Sequence, residues 1–126
     1  MTVVLRLLVG AIALFNIAIG MMFLFNPAGL AAQFFLIPDG SQGMATLRAD
    51  FPGFFITGGV FALIGAVQKD ARALLVPLLL LGVAITGRGV SLLADGTPPI
   101  AFPPMVAEAV MITVLALARR SFGARR

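Results

Sequence analysis

Four long runs of apolar residues alternate with short polar stretches along the chain, and they cover about residues 3–25, 47–67, 73–94 and 104–118. A helix that crosses the hydrocarbon core of a bilayer needs about 20 consecutive, mostly apolar residues. The pattern therefore predicts one transmembrane domain over residues 1–126 with four membrane-spanning helices. The first run is longer than the apolar region of a typical signal peptide, so we interpret it as a span that is kept.

Short stretches that contain Pro, Gly and polar residues separate the runs. Asn26-Pro27 ends the first run, because Pro disfavours the helical conformation in the residue before it. Residues 28–37 are apolar but too few to cross a bilayer, so we predict a short segment that lies at the membrane interface. Pro38-Asp39-Gly40 predicts a turn. Pro103-Pro104 opens the fourth span, since Pro is well tolerated in a first helical turn.

The amino-acid composition indicates that lipid, rather than water, surrounds most side chains of this protein. Hydrophobic residues make up 60% of the 126 residues and charged residues only 11%, whereas soluble domains contain about 25% charged residues. A small soluble fold leaves too much of its surface exposed to hide so much apolar area. We therefore predict an all-α integral membrane four-helix bundle with a short interfacial segment after the first helix.

Positively charged residues are strongly biased toward one side of this four-span topology. Cytoplasmic loops of membrane proteins carry an excess of Lys and Arg. The side that holds both termini and the second connection has seven such residues, and the opposite side has at most Arg48 at the edge of a span. Both termini are therefore predicted to be cytoplasmic. The seven residues are Arg6, Lys69, Arg72, Arg119, Arg120, Arg125 and Arg126.

The absence of Cys and His from the sequence excludes several kinds of chemistry. Disulfides, Cys/His metal sites, cysteine nucleophiles and histidine acid–base catalysis all need one of these residues. Only five acidic residues are present, and they are scattered, so we expect neither a carboxylate metal site nor another cofactor. The net charge of +4 lies at helix ends without a basic patch interleaved with aromatics, which argues against nucleic-acid binding.

Five ionisable residues lie within or beside the spans and away from the predicted cytoplasmic ends. A charge near the centre of a membrane helix costs roughly 2.5–3.5 kcal/mol on insertion scales, and such residues persist mainly when they are paired or functional. At about 1.5 Å per residue, Asp50, Glu108 and Arg88 fall about 5, 6 and 9 Å below the outer ends of their spans. We predict a layer of charge in the outer leaflet that lines a pocket between helices. The five residues are Arg48, Asp50, Arg88, Asp95 and Glu108.

Arg88 and Glu108 each allow more than one interpretation. Arg88 could form a buried, bidentate pair with a carboxylate that fixes the helix packing, hold a ligand, or extend to the outer surface. Glu108 could simply be favoured by the positive end of the fourth helix. It could instead pair with Arg88 or Arg48, or act as a proton donor in an apolar site.

Asp50 and Arg48 are two residues apart, and this spacing restricts how they can act together. Side chains two apart on a regular helix point to different sides, so both face one pocket only if the second helix begins near Phe51. Asp50 could also be an N-cap residue in front of Pro52.

Asp95 is either part of an Asp-Gly turn or a site residue that shares the helical stripe of Arg88 and Ser91. Asn16 in the first span predicts an interhelical hydrogen bond, with ligand binding as the alternative.

Small and aromatic residues add two further patterns. Gly58, Ala62 and Ala66 recur every four residues on the second span, and Gly82 and Thr86 do so on the third, as do Gly87 and Ser91. This spacing lets helices approach closely, either within the molecule or between two copies. Several Phe residues fall near the outer layer, where they contact lipid or the core, or else wall a hydrophobic ligand pocket. They include Phe34, Phe35, Phe51, Phe54 and Phe55.

Several of these motifs together resemble a family of small bacterial four-helix membrane proteins described as a domain of unknown function. The resemblance is carried by LFNIAIGMMFLFNPAG at residues 14–29, by LRADFPG at residues 47–53, by Gly87-Arg88 with Ser91 and Asp95-Gly96, and by Glu108. It covers nearly the whole chain. It implies the four-helix fold and a bacterial inner membrane, and no established activity comes with it.

The leading functional hypothesis is a small bundle that binds or converts a lipophilic molecule in the outer leaflet. In a catalytic version, Glu108 or Asp50 is the general acid or base of an isomerase, cyclase or epoxide-opening enzyme. An accessory subunit of a larger membrane complex and a small proton-coupled transporter are the alternatives. We expect membrane lipids and a lipophilic small molecule as partners, and leave a homodimer open. The predicted ligand-binding residues are Arg48, Arg88, Asn16, Ser91 and Asp95.

Overall fold

The computed structural model describes residues 1–123, and all regular secondary structure in this range is helical. Four of the helices are long and apolar enough to cross a membrane, so the predicted all-α four-helix bundle is confirmed. Arg125 and Arg126, which contribute to the predicted charge bias, lie outside the described residues. The helices are α1 (Thr2–Phe25), α2 (Pro27–Gln33), α3 (Gly40–Gln68), α4 (Leu75–Asp95) and α5 (Phe102–Gly123), and a 3-10 turn at Pro99–Ala101 precedes α5.

Helices α1 and α3 form the most closely packed pair, and two glycines explain how. A Cβ atom on Gly59 would lie 2.8 Å from the carbonyl oxygen of Ala13, and one on Gly20 would lie 2.5 Å from Cγ1 of Ile56. Only residues without a side chain fit at these two crossing points. Small residues let membrane helices gain van der Waals contact over a long stretch, since lipid offers no hydrophobic force to drive helices together.

The small-residue stripe of α3 lies inside the bundle. Gly58, Ala62 and Ala66 are buried, and a Cβ atom on Gly58 would lie 3.1 Å from Leu80 of α4. This stripe therefore serves packing within one molecule. The glycines of the α4 pattern differ, because Gly82 and Gly87 have no atom within 4 Å of the position of a Cβ among residues 1–123.

Arg6 joins the start of α1 to the end of α3. Its Nε donates to the carbonyl oxygen of Ala66 at 2.7 Å, and its Nη2 donates to that of Val67 at 2.8 Å. The last carbonyl groups of a helix have no partner within the helix and carry its negative dipole end. A guanidinium group satisfies both needs, so this basic residue stabilises a helix end as well as contributing to the charge bias.

The start of α1, the end of α5 and the α3–α4 connection lie at the same end of the bundle. Arg6 contacts the last turn of α3, and the hydroxyl groups of Thr2 and Ser121 lie 3.2 Å apart, which places the end of α5 beside the start of α1. The α3–α4 connection begins at Lys69, whose φ of 55° is left-handed and ends the helix. Four consecutive spans require this arrangement, because an even number of crossings returns the chain to the side from which it starts.

The opposite end of the bundle is closed by α2 and an aromatic cluster. Helix α2 follows α1 directly and buries Leu30 and Ala31 against the bundle. The fully buried ring of Phe23 lies 4.8 Å from the Phe51 ring and 5.3 Å from the Phe34 ring, measured between centroids. The short segment after the first helix is thus a seven-residue helix that packs against α1 and α3.

Helix α3 begins earlier than the apolar run indicates, and this overturns the capping role considered for Asp50. The helix begins at Gly40 rather than near Leu47, and Asp39 occupies its N-cap position. Asp50 therefore lies inside a continuous helix. Pro52 lies inside it as well, so the carbonyl group of Arg48 lacks the N–H donor that a residue other than Pro would provide.

Candidate functional site

Arg88 of α4 and Glu108 of α5 form the predicted ion pair across the bundle. Nε of Arg88 lies 2.9 Å from Oε1 of Glu108. The Glu108 side chain is 11% exposed and that of Arg88 is 39% exposed, so the carboxylate lies in the interior and the guanidinium reaches it from nearer the surface. Glu108 lies beyond the first turn of α5, where the helix dipole has little effect. The partner that compensates its charge is therefore Arg88.

The contact differs from the bidentate pair that the sequence suggests. Within residues 1–123, neither Nε of Arg88 nor Oε1 of Glu108 makes a directed hydrogen bond, although both atoms are shielded from solvent. The short distance and the poor alignment together describe a pair that is held by charge attraction. Pairs of this kind are weaker than two parallel hydrogen bonds between guanidinium and carboxylate, so α4 and α5 are joined less firmly here than bidentate geometry would join them.

A cavity of about 460 Å³ lies beside this pair, between α3, α4 and α5, and we call it the charged cavity. Such a volume is typical of sites for small molecules, which are mostly apolar with a few converging polar groups. Asp50 lines the cavity together with Arg88 and Glu108, so three members of the predicted charge layer share one space. The apolar lining consists of Phe34, Leu36, Phe51, Phe54, Phe55 and Ala84.

Arg48 does not line the charged cavity, contrary to its predicted role in ligand binding there. Because α3 is a continuous helix from Gly40, Arg48 and Asp50 are separated by about 200° around its axis. Only one of the two can face α4 and α5, and it is Asp50. Arg48 is exposed on another side of the helix.

Ser91 and Asp95 lie near Arg88 but line a different, smaller cavity of about 210 Å³. Arg88 borders both cavities. Asp95 is the last residue of α4, and Gly96 with its φ of 103° ends the helix. The Asp-Gly pair therefore terminates a helix rather than forming a separate turn. The structure therefore places Ser91 and Asp95 outside the charged cavity.

Asn16 of α1 is buried on the side that faces α5, and it makes the predicted interhelical hydrogen bond. Its Nδ2 donates to the carbonyl oxygen of Ile12 at 2.8 Å and to Sδ of Met111 at 3.6 Å. Asn16 lines a narrow space of about 10 Å³, which is about the size of one water molecule. Phe54 borders both this space and the charged cavity, and Asn16 does not line the charged cavity.

The aromatic wall of the charged cavity rests on a residue that sequence reasoning missed. Phe23 of α1 is fully buried behind the wall and stacks on the Phe55 ring at 5.9 Å. Phe23 lies one turn beyond Gly20 on the buried side of α1, and only the structure shows which side of this uniformly apolar helix is buried. Leu36 was also missed, because the segment after α2 carries no periodic pattern.

Phe35 is one of the Phe residues for which the sequence leaves lipid or core contact and a pocket wall open, and the structure turns it outward. Its φ of 62° is left-handed, and its side chain is 72% exposed. The N–H group of Leu36 returns to the carbonyl oxygen of Ala31 at 2.9 Å, which closes the end of α2. This reversal of chain direction brings Leu36, rather than Phe35, to the cavity.

The arrangement offers two carboxylates and one guanidinium group to a ligand in an apolar space. No group of three acidic, His or Cys side chains that could hold a metal ion occurs in the described part of the chain. Comparisons with protein-family models, with curated proteins and with solved structures find no match for this chain. The family resemblance of the sequence stays a prediction, and the functional argument rests on the geometry of the charged cavity.

Proposed function

We propose that this multi-pass membrane protein binds a small lipophilic molecule in the charged cavity. The observation that carries the proposal is the cavity itself: about 460 Å³ walled by four Phe rings, with three charged side chains at one place. Charged groups inside membrane proteins are costly, and they usually pair or serve a function. A purely structural ion pair between α4 and α5 needs neither a cavity of this size nor the additional carboxylate of Asp50.

The apolar lining favours a ligand that enters from the lipid. Six of the nine residues around the cavity are apolar, so a water-soluble ligand would lose its hydration without gaining equivalent hydrogen bonds. A lipophilic ligand loses little on transfer from the bilayer to such a space. Its polar group would then lie against the charged side chains, which fix its orientation.

The distribution of basic residues supports an orientation with the charged cavity in the outer leaflet. Arg6, Lys69 and Arg72 lie at the end of the bundle that holds the start of α1 and the end of α5, and an excess of basic residues marks the cytoplasmic side. Asp50 lies 16 residues before Ala66 on α3, or about 24 Å along the helix axis. With the resemblance described above, this supports the inner membrane of a bacterium with both termini in the cytoplasm.

A catalytic role for the same cavity is an extension of this proposal. Glu108 or Asp50 would act as general acid or base toward the bound molecule, in an isomerisation, a cyclisation or the opening of an epoxide. Arg88 would hold the carboxylate of Glu108 in position for this step. In this version, Glu108→Gln and Arg88→Ala abolish turnover and leave the protein folded, whereas turnover that survives in both variants would exclude it.

The binding proposal is tested by filling the charged cavity with a larger side chain. Ala84→Phe introduces a ring into the cavity, and Val83→Phe places the same ring on the exposed side of α4 as a matched control. Organic extracts of the purified proteins are compared by mass spectrometry. We expect a lipophilic compound in extracts of the wild type and of Val83→Phe that is depleted in Ala84→Phe. Identical extracts from all three folded proteins would contradict the proposal.

A non-catalytic accessory subunit is the second candidate, and the open surface of α4 favours it. Gly82, Gly87 and Gly89 have no neighbour within 4 Å of a Cβ position in the described range, and such surfaces allow another helix to approach closely. Gly82→Leu would then release a partner that co-purifies with the wild type after crosslinking in membranes. Recovery of the same crosslinked species from Gly82→Leu would argue against this candidate.

A further inference from the structure

The formal charges that line the charged cavity do not balance. Glu108 and Arg88 lie 2.9 Å apart and compensate each other, which leaves the carboxylate of Asp50. Among residues 1–123, no basic side chain forms an ion pair with Asp50. Arg48 lies on another side of α3 and does not line the cavity. With both carboxylates ionised, the cavity therefore carries one net negative charge.

The side chains around the cavity offer few hydrogen-bond donors to a neutral or anionic ligand. Of the nine lining residues in the described chain, only Arg88 has a side chain that donates hydrogen bonds. An anion that bound the Nη groups of Arg88 would bring a third negative charge into a space with one positive charge, and the carboxylates of Asp50 and Glu108 would repel it.

A cation meets the opposite conditions in the same cavity. It can approach the Asp50 carboxylate without displacing the pair of Arg88 and Glu108. The faces of Phe rings attract cations within about 6 Å of the ring centroid. The Phe54 and Phe55 rings meet edge to face at 5.0 Å, and the Phe34 and Phe55 rings do so at 6.0 Å.

The exposure of the two carboxylates indicates where the charge of such a ligand would lie. Asp50 is exposed, whereas the Glu108 side chain is nearly buried. A charged group at Asp50 stays close to the surface of the bundle, and its apolar substituents extend between the Phe rings. This orientation buries apolar surface and places the charge beside a carboxylate of opposite sign, which offsets part of the cost of burying an ion.

We propose that the charged cavity selects a lipophilic cation, such as an organic ammonium or phosphonium ion, with Asp50 as its counter-ion. This inference rests on the proposed function, that the cavity binds a small lipophilic molecule, and adds the sign of its charge. The selectivity comes from the unpaired carboxylate and the aromatic wall. The pair of Arg88 and Glu108 stays intact and closes the inner side of the site.

The test compares three probes of similar shape and different charge on the full-length protein. The protein is reconstituted in nanodiscs of phosphatidylcholine, whose lipids carry no net charge, and empty nanodiscs give the background from partition into lipid. Equilibrium dialysis measures the binding of tetraphenylphosphonium, tetraphenylborate and neutral triphenylphosphine oxide, each in a separate experiment. We expect saturable binding of tetraphenylphosphonium alone.

Substitutions at Asp50 link this binding to the proposed counter-ion. Asp50→Asn should weaken the binding of tetraphenylphosphonium by roughly tenfold or more, as expected for the loss of one partly desolvated charge contact. Asp50→Glu keeps the charge and should retain binding. Asp39→Asn removes an exposed carboxylate near the same end of α3 that makes no capping hydrogen bond, and it should leave binding unchanged.

The outcomes separate the sign of the charge from the proposed function. Saturable binding of triphenylphosphine oxide or tetraphenylborate in place of tetraphenylphosphonium would overturn the cation selectivity and leave lipophilic binding intact. Unchanged phosphonium affinity in Asp50→Asn would overturn the role of Asp50. If no probe binds and Ala84→Phe leaves the co-purifying compounds unchanged, the proposed function fails together with this inference.

Discussion

Helices α1 and α3 are packed much more tightly than α4 and α5, although all four are similarly apolar. In the 18 most apolar consecutive residues of each helix, 28% of α1 and 33% of α3 are buried, against 11% in each of α4 and the last helix. Glycines occur in both pairs. Gly20 and Gly59 are in direct contact with the neighbouring helix, whereas Gly82, Gly87 and Gly89 face open space within residues 1–123.

The charged cavity lies where the tight pair meets the loose pair. The rigid side contributes Asp50 and the Phe wall through α3, and the wall is supported from behind by Phe23 of α1. The open side contributes Arg88 and Glu108. A tightly packed pair holds a wall at fixed geometry, and a loosely packed pair leaves volume in front of it. Because one pair of helices fixes the wall and the other leaves space, a chain of 126 residues can form a defined site with room for a ligand.

The largest effect is expected where the tight pair is densest. Gly59→Ala places a methyl group against the backbone of α1, 2.8 Å from the Ala13 carbonyl oxygen, and backbone cannot move aside as a flexible side chain can. We expect a loss of about 3 kcal/mol in the free energy of unfolding, measured by denaturation in micelles. The matched change Gly87→Ala should be neutral or slightly stabilising, because Ala favours helix over Gly. Equal losses of unfolding free energy in both variants would show that the two helix pairs do not differ in how closely they are packed.

A smaller loss is expected from removal of the contact that joins the loose pair. Glu108→Gln leaves the charge of Arg88 without its partner and should destabilise the protein by about 2 kcal/mol. This is less than the 3–5 kcal/mol of fully buried pairs, because the Arg88 side chain is 39% exposed. The double variant Arg88→Met/Glu108→Leu should recover most of the loss. A double variant as unstable as the sum of both single variants would mean that the two groups act independently.

The contact between α1 and the end of α3 should contribute about 1 kcal/mol. Arg6→Met removes two hydrogen bonds to carbonyl groups of the last turn of α3. Arg72→Met removes one positive charge from the same end of the bundle and serves as a control for the charge bias. Thermal denaturation of the two variants should show a lower midpoint for Arg6→Met. If Arg72→Met is equally unstable, the loss of charge rather than of the hydrogen bonds explains the effect.

The smallest effect is expected at Asn16. Asn16→Leu removes a bond to a backbone carbonyl that is already paired within α1 and a weak bond to the sulfur of Met111. Interhelical polar contacts in membranes contribute about 0.6 kcal/mol on average, and the apolar side chain avoids the burial of an amide. We expect a change of less than about 0.5 kcal/mol in the same denaturation experiment. A loss several times larger would show that this amide holds α1 and α5 together.

Much of the fold and the main contact of the site follow from simple physical rules. The length and hydropathy of the runs predict four helices, since lipid permits few other structures. The cost of a membrane charge predicts that Arg88 pairs with a carboxylate, and the predicted depths leave Glu108 and Asp50 as candidates. The structure shows that the partner is Glu108.

The position of Arg48 could not be derived in the same way, because the polar residues at 40–46 conceal the true start of α3. The left-handed conformation of Phe35 also has no local signal, since Phe rarely adopts it.

The periodicity of apolar and small residues does not predict the difference in packing between the pair α1 and α3 and the pair α4 and α5. Gly58 and Gly87 occur in similar sequence surroundings, and only the orientation of each helix decides which glycine meets a neighbour. That orientation depends on contacts between segments far apart in the chain, such as the Phe cluster that joins α1 to α3. A single sequence therefore predicts which residues permit close approach, and the structure determines where it occurs.

The contact of Arg6 with the carbonyl groups of Ala66 and Val67 has a consequence for biosynthesis. Every group in this contact, and every glycine that α1 and α3 use to meet, precedes residue 70. A nascent chain that has delivered its first two spans to the bilayer can therefore already close this hairpin. The later spans then arrive at a finished wall, and their own looser association completes the cavity last.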